Sequence, residues 1–118
     1  MEKYDLLPRQ LLHEGTCDED NFFQPELKSS VEKYICMAHD KDYINRLYNI
    51  DIHGHAARKI GFPLSEELVK RERTITNGTL QACDFALQNG LALNIAGGTH
   101  HAYSDHGEAF CMINDQAI

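Results

Sequence analysis

The residues best equipped for chemistry lie close together late in the sequence. His100 and His101 are adjacent, follow Gly97-Gly98-Thr99, and precede Asp105, Glu108, Cys111, Asn114 and Asp115. An imidazole has an ordinary pKa of roughly 6.5, so a pair can take a proton from one group and give it to another near neutral pH. That is what acid and base catalysis at a polarised carbonyl requires. Neutral imidazoles also bind metals. Adjacent side chains on a regular strand face opposite ways, so both rings can serve one pocket only if the backbone turns irregularly. A glycine pair supplies that freedom through positive φ and close backbone approach. Two histidines in a polar loop can equally be solvated or hydrogen-bonded without further role, and their spacing alone does not separate these readings.

The elements that must position this loop come just before it. Ser65, followed by Glu66 and Glu67, reads as an N-cap with acidic residues well placed against the helix dipole. An apolar face through Leu68, Ile75, Ala82 and Leu87 predicts a long helix, ending at Asn89-Gly90, a pair suited to the left-handed C-cap. Leu91 to Ala96, "LALNIA", is almost wholly apolar and reads as a buried strand of a parallel sheet. Helix, tight turn, strand and glycine loop make half of an α/β unit. Open α/β sheets place ligand chemistry at the carboxyl ends of their strands, where the glycine and histidine loop falls. The expected fold class is therefore α/β, a parallel sheet flanked by helices.

Upstream, leucines at 6, 7, 11 and 12 predict a helix over residues 1–14, which Pro8 either kinks or begins. Residues 16–30 read as a loop that turns Phe22 and Phe23 inward. Val31 to Ala38 mixes β-branched and aromatic residues and reads as a short strand or extended segment. Asp40 is a natural N-cap for a helix whose face is Tyr43, Ile44, Leu47 and Tyr48. His53-x-His55 has a two-ligand spacing, but Gly54 between them indicates a loop and not a metal site.

Composition narrows the function classes. The 118 residues carry a net charge of −7, with 42% hydrophobic and 25% charged residues, as in a folded, water-soluble domain. The eleven lysines and arginines are scattered, which argues against direct nucleic-acid binding, since that draws on clustered cations. No apolar run approaches the ~20 residues of a membrane span, and the charged N-terminus does not resemble a signal peptide. Cys17, Cys36, Cys83 and Cys111 are too far apart for a zinc knuckle and read as reduced thiols in a cytoplasmic protein.

"GGTHHAYSDHGEAFCMIND" resembles the active-site loop of the histone deacetylase superfamily, which includes bacterial deacetylase-like, acetoin-utilisation and acetylpolyamine amidohydrolase proteins. "YDLLPRQLLHEG", "FFQPE", "AHDKDYINRL", "RKIGFPLSEELVKRE" and "NGTLQACDFALQNGLALNIAGG" extend that resemblance along the chain. Related ureohydrolases such as arginase are similar in fold, but their loop resembles Gly-Gly-Asp-His-Ser. The resemblance implies part of an arginase/deacetylase fold, with residues 1–118 forming the N-terminal portion of a single domain. It implies a zinc-dependent deacetylase or amidohydrolase acting on acyl-lysine or small acylated amines. His101 would be the general base and then acid, with His100 its electrostatic supporter. Phe110 would be one wall of the substrate tunnel, and Cys111 would pack beneath the site. Gly97 and Gly98 would shape the loop, Asp105 would help to order it, and Asn114-Asp115 would cap the next helix. Ala109 stands where the family usually has glycine, at a cost of roughly 1 kcal/mol if the position needs positive φ.

The family's zinc ligands, an Asp-x-His pair after the strand that follows this loop and a further Asp much later, and its still later tyrosine have no counterpart after Asp115, where only Gln116, Ala117 and Ile118 remain. The expectation is a chain that binds no metal and is inactive alone. Its exposed sheet edges and uncovered apolar face would favour self-association. The alternative is a non-catalytic binding or assembly module derived from the same fold.

Overall fold

The computed structural model describes residues 2–118. Among them are the helices α1 (Lys3–His13), α2 (Val31–Ala38), α3 (Lys41–Tyr48), α4 (Gly54–Ile60) and α5 (Glu66–Asn89). The helix predicted over residues 1–14 is present as α1, with Pro8 inside it and none of its residues buried. Met1, the first residue of that prediction, lies outside the described residues.

α5 is the spine of the molecule, 24 residues long. It begins where predicted, with the Ser65 hydroxyl accepting from the Leu68 amide at 3.2 Å, and ends at Gly90 in the left-handed conformation. Its buried side, including Val69, Ile75 and Ala82, receives α2 and α3. Glu32 of α2 ties the three helices together: it accepts from Tyr48 Oη of α3 at 2.7 Å and from Arg73 Nε of α5 at 2.7 Å. The Arg73 guanidinium also lies over the Tyr48 ring, 4.8 Å from its centroid. A partly buried ion pair whose carboxylate also holds a third helix fixes helix register more firmly than an exposed one.

Val31 to Ala38 is a helix and not the strand its composition suggested. Val31 and Ile35 are both fully buried, and their four-residue separation puts them on one helical face. Short apolar runs of this kind fit either period, and packing against α5 decides for the helix. The segment after His53, read as a loop, is also helical as α4.

The expected α/β class, with its parallel sheet, is overturned. Among the described residues there is no sheet, and the β-pairing is one antiparallel bridge between Glu108 and Cys111. Leu91 to Asn94 forms no ladder and leads into a turn at Ile95 and Ala96. Leu91 and Leu93 are 74% and 76% exposed. A strand is defined by the neighbour it pairs with, and an apolar run records only its own hydropathy. What anchors this run is its one polar residue: the Asn94 side-chain amide donates to Ile75 O at 2.9 Å and to Thr79 Oγ1 at 2.8 Å, which docks it on α5.

The core gathers Val31 and Ile35 of α2, Tyr43, Ile44 and Leu47 of α3, Ile60 of α4 and Val69 of α5 around Met112 and Ile113. The segment just beyond the histidine loop is thus built into the helical core. No helix is long and apolar enough to cross a membrane among the described residues.

Candidate active site

The loop from Gly97 to Asp115 is held at both ends. At its start, the buried Asp115 carboxylate accepts from the Gly98 amide at 3.0 Å, the Thr99 amide at 2.7 Å and the Thr79 hydroxyl at 2.6 Å. The Thr99 hydroxyl lies 2.6 Å from Ile113 O and 2.9 Å from Asp115 Oδ1. Asn94, Thr79 and Asp115 therefore form a continuous chain from α5 to the loop. The two glycines are needed for different reasons. Gly98 has φ +90, which favours glycine, while a Cβ at Gly97 would sit 2.8 Å from Asp115 Oδ2, inside the clamp.

This turn brings His100 and His101 face to face, with ring centroids 4.3 Å apart and planes tilted by 38°. Both are exposed. His100 Nδ1 lies 2.8 Å from Gly98 O and donates to it, leaving Nε2 as its outward nitrogen. The Asn114 side-chain amide donates to Ala102 O at 2.9 Å and to His100 O at 3.3 Å, which fixes the main chain on both sides of His101. Asn114 Oδ1 also accepts from the Ala117 amide at 3.1 Å. Asn114 and Asp115 thus do different things: one caps the turn that follows, and the other reaches back to the glycines.

Behind the loop, Tyr43 Oη donates to Met112 O at 2.8 Å and the Asn114 amide donates to His39 Nε2 at 2.9 Å. His39 is 4% exposed. Burial holds its imidazole below the ordinary range, against the pull of the Tyr103 and Ser104 carbonyls beside it. A ring that accepts at Nε2 and stays neutral carries its proton on Nδ1. Burial likewise pushes the Tyr43 hydroxyl up.

Ala109 and Phe110 are both in the left-handed region, with φ 49 and 68. The condition under which alanine at this position carries a cost is therefore met. Their amides donate to Lys59 O at 3.0 Å and Ile60 O at 2.8 Å, satisfying carbonyls at the end of α4. Phe110 is 59% exposed, while Cys111 turns inward. The Cys111 thiol faces the His101 backbone and is pushed up by burial.

Asp105 stands apart from the histidine pair. Its carboxylate pairs with His106 Nδ1 at 2.6 Å, and that hydrogen bond holds it below the usual carboxylate range. His106 stacks on Tyr103, centroids 4.5 Å apart, and lies 3.5 Å from Glu108, which also meets Lys59 at 3.5 Å.

Glu72, on the buried side of α5, gave no sign in the sequence. It is 2% exposed, with Oε1 on Arg71 Nη1 at 2.6 Å and Oε2 without a partner. Burial pushes its carboxyl up to about 7, opposed by Arg71 and aided by the negative charge of Asp115. Only the helical period, which places Glu72 three residues after Val69 and three before Ile75, could have indicated burial.

A groove of about 250 Å3 lies behind the loop, lined by Ala82, Cys83, Ala86, Leu93, Gly97 and Asp115 among others, and not by the histidines. No group of three or more His, Cys, Asp or Glu is arranged to hold a metal among the described residues. His53 and His55 are exposed, His53 leaning 3.3 Å from Asp51. A catalytic zinc needs three protein ligands, so these residues do not by themselves fit the zinc that the resemblance implies.

The paired histidines are thus presented on an exposed loop that a buried carboxylate anchors to a helical scaffold. Comparison with known proteins supplies the family. The model of the histone deacetylase domain matches residues 1–118, so the chain belongs to the histone deacetylase family. An uncharacterised protein of Picosynechococcus sp. is 37% identical over 118 residues, covering 100% of this chain and 39% of its own length. Histone deacetylase 2 of Arabidopsis thaliana is 25% identical over 122 residues, covering 98% of this chain and 31% of its own length. The chain thus spans less than two-fifths of either relative.

Proposed function

We propose that the chain is a portion of a deacetylase or amidohydrolase that removes acyl groups from lysine side chains or small acylated amines in the cytoplasm. The observation that supports this most directly is the His100–His101 pair, held side by side on an exposed loop by Asp115. In this reading His101 takes a proton from water as the oxygen attacks the acyl carbon. It returns the proton to the amine nitrogen as the C–N bond breaks, leaving a carboxylic acid and a free amine. His100, tethered through Nδ1 to Gly98 O, keeps its neighbour's ring oriented and supports the charge that develops on it. Phe110 flanks the substrate and Cys111 packs beneath. The 118 residues alone are inactive and self-associate, with Leu87, Leu91 and Leu93 as the exposed apolar contacts.

The test is acetate release from an acetyl-lysine peptide and an acetylated diamine. It is run on the 118-residue chain and on the full-length polypeptide that carries it. Turnover is expected from the longer polypeptide only, and His101→Ala should lower kcat by about a hundredfold or more, in the range for a lost acid and base. A longer polypeptide that releases no acetate, or that keeps its rate without His101, overturns the reading.

A further inference from the structure

The junction between α2 and α3 grips the histidine loop at two separate points. His39 ends α2 and Asp40 precedes α3, both with extended backbone. The Asp40 amide donates to Ser104 O at 2.9 Å, and His39 Nε2 accepts from the Asn114 amide at 2.9 Å. The second contact bears directly on the histidines, because the Asn114 side chain donates to His100 O and Ala102 O. His39 therefore holds the main chain of the one residue whose side chain braces both sides of His101.

This relay works in a single protonation state. His39 is buried and its Nδ1 makes no hydrogen bond, so the contact with Asn114 is the ring's one hydrogen bond among the described residues. A neutral ring with its proton on Nδ1 accepts at Nε2, whereas an imidazolium donates from both nitrogens and would set one N–H against another. Few charged or titratable groups face the ring. Asp40, beside it in sequence, favours the charged form, and Tyr43 of α3, with ring centroids 5.8 Å apart, is kept protonated by burial. The loop presents the main-chain carbonyls of Tyr103 and Ser104, and the Asp115 carboxylate is turned to Gly98 and Thr99. Burial outweighs these attractions and keeps the ring neutral at neutral pH.

We infer that His39 is a positioning residue for the hydrolysis: its neutral imidazole holds the Asn114 main chain, and through the Asn114 side chain it keeps His101 in register for proton transfer. This rests on the proposed hydrolase reading. Protonation of His39 expels the Asn114 amide and frees the carbonyls around His101, so acid removes activity by a second route besides protonation of the base itself.

The experiment uses the full-length polypeptide and acetate release from an acetyl-lysine peptide. His39→Phe keeps a ring but removes the acceptor, and kcat should fall about tenfold to a hundredfold with KM little changed, as for a displaced base. His39→Gln, whose Oε1 can accept in place of Nε2, should keep most of the rate. Its pH profile is the second measurement, which a packing role would not move. Below neutral pH the fall of log kcat should be shallower by about one proton in His39→Gln than in the wild type, which alone has His39 to protonate. Full kcat in His39→Phe overturns the inference, as does His39→Gln slowed as much as His39→Phe. Acid limbs of equal slope in wild type and His39→Gln overturn it too, and that comparison decides alone where His39→Phe fails to fold. A wild type that releases no acetate overturns the hydrolase reading itself, and this inference with it.

Discussion

The Thr99 amide donates to Asp115 Oδ1 at 2.7 Å, the shortest of the main-chain bonds that Asp115 receives from the histidine loop. Sixteen residues of chain separate the two, so this contact closes the loop on itself. Replacing Asp115 by alanine leaves the Gly98 and Thr99 amides and the Thr79 hydroxyl without their acceptor. The expected cost is about 2–4 kcal/mol in urea unfolding, because stranded buried donors lose more than the bonds were worth. Amide hydrogen exchange at Gly98 and Thr99 should quicken at the same time, and unchanged protection there contradicts the clamp.

Glu72 makes stability depend on pH. Its folded pKa, about 7, lies above the ordinary carboxylate value, so the folded chain holds the proton more tightly than the unfolded one. The contribution of Glu72 is then fully present below about pH 4.5 and is lost as pH rises through 7, by on the order of 3 kcal/mol. His39 works in the opposite sense. Its lowered pKa makes the unfolded chain the better proton acceptor, so its contribution is lost as pH drops below roughly 6.5. Urea midpoints at pH 5, 6, 7 and 8 should show Glu72→Gln gaining on the wild type as pH rises. A constant gap between the two places the Glu72 pKa near its ordinary value.

Ala109→Gly relieves a left-handed alanine, φ 49. The residue is exposed, so little packing is lost, and the folded state gains roughly 0.5–1 kcal/mol after the unfolded chain's added freedom is subtracted. Thermal unfolding should shift upward by a few degrees. A downward shift contradicts the strain assigned to this turn.

Gly61→Ala should do the reverse. The new methyl combines positive φ with overlap against the Phe110 ring, for a cost of about 1–3 kcal/mol. Cross-relaxation between the ring protons of Phe62 and Phe110, whose centroids lie 4.9 Å apart, should weaken as the pair is pushed apart, and an intact signal contradicts the contact.

The helix limits set by Ser65 and Gly90 were legible because capping is local chemistry, written in the residues that perform it. The same holds for the glycine pair, whose turn follows from backbone sterics. Val31–Ala38 was not, since its eight residues satisfy both periods and the decision belongs to α5. Leu91–Ala96 misled for a related reason: hydropathy says what a segment avoids, and only a neighbour can make it a strand. Asp115 was read as part of a cap, although its hydrogen bonds run sixteen and seventeen residues back to Thr99 and Gly98. Glu72 and the Phe62–Phe110 pair were invisible because each depends on contacts between distant segments.

Met112 and Ile113 have no exposed surface at all, although they follow directly on a loop that faces water. Their backbone cannot be reached without prising apart the helices around them, so this part of the chain has no private route to disorder. Opening there costs as much as losing the fold. The histidines next door consequently inherit the lifetime of the entire assembly of helices, and a destabilising substitution as remote as one in α2 shortens it for them and for the helices alike.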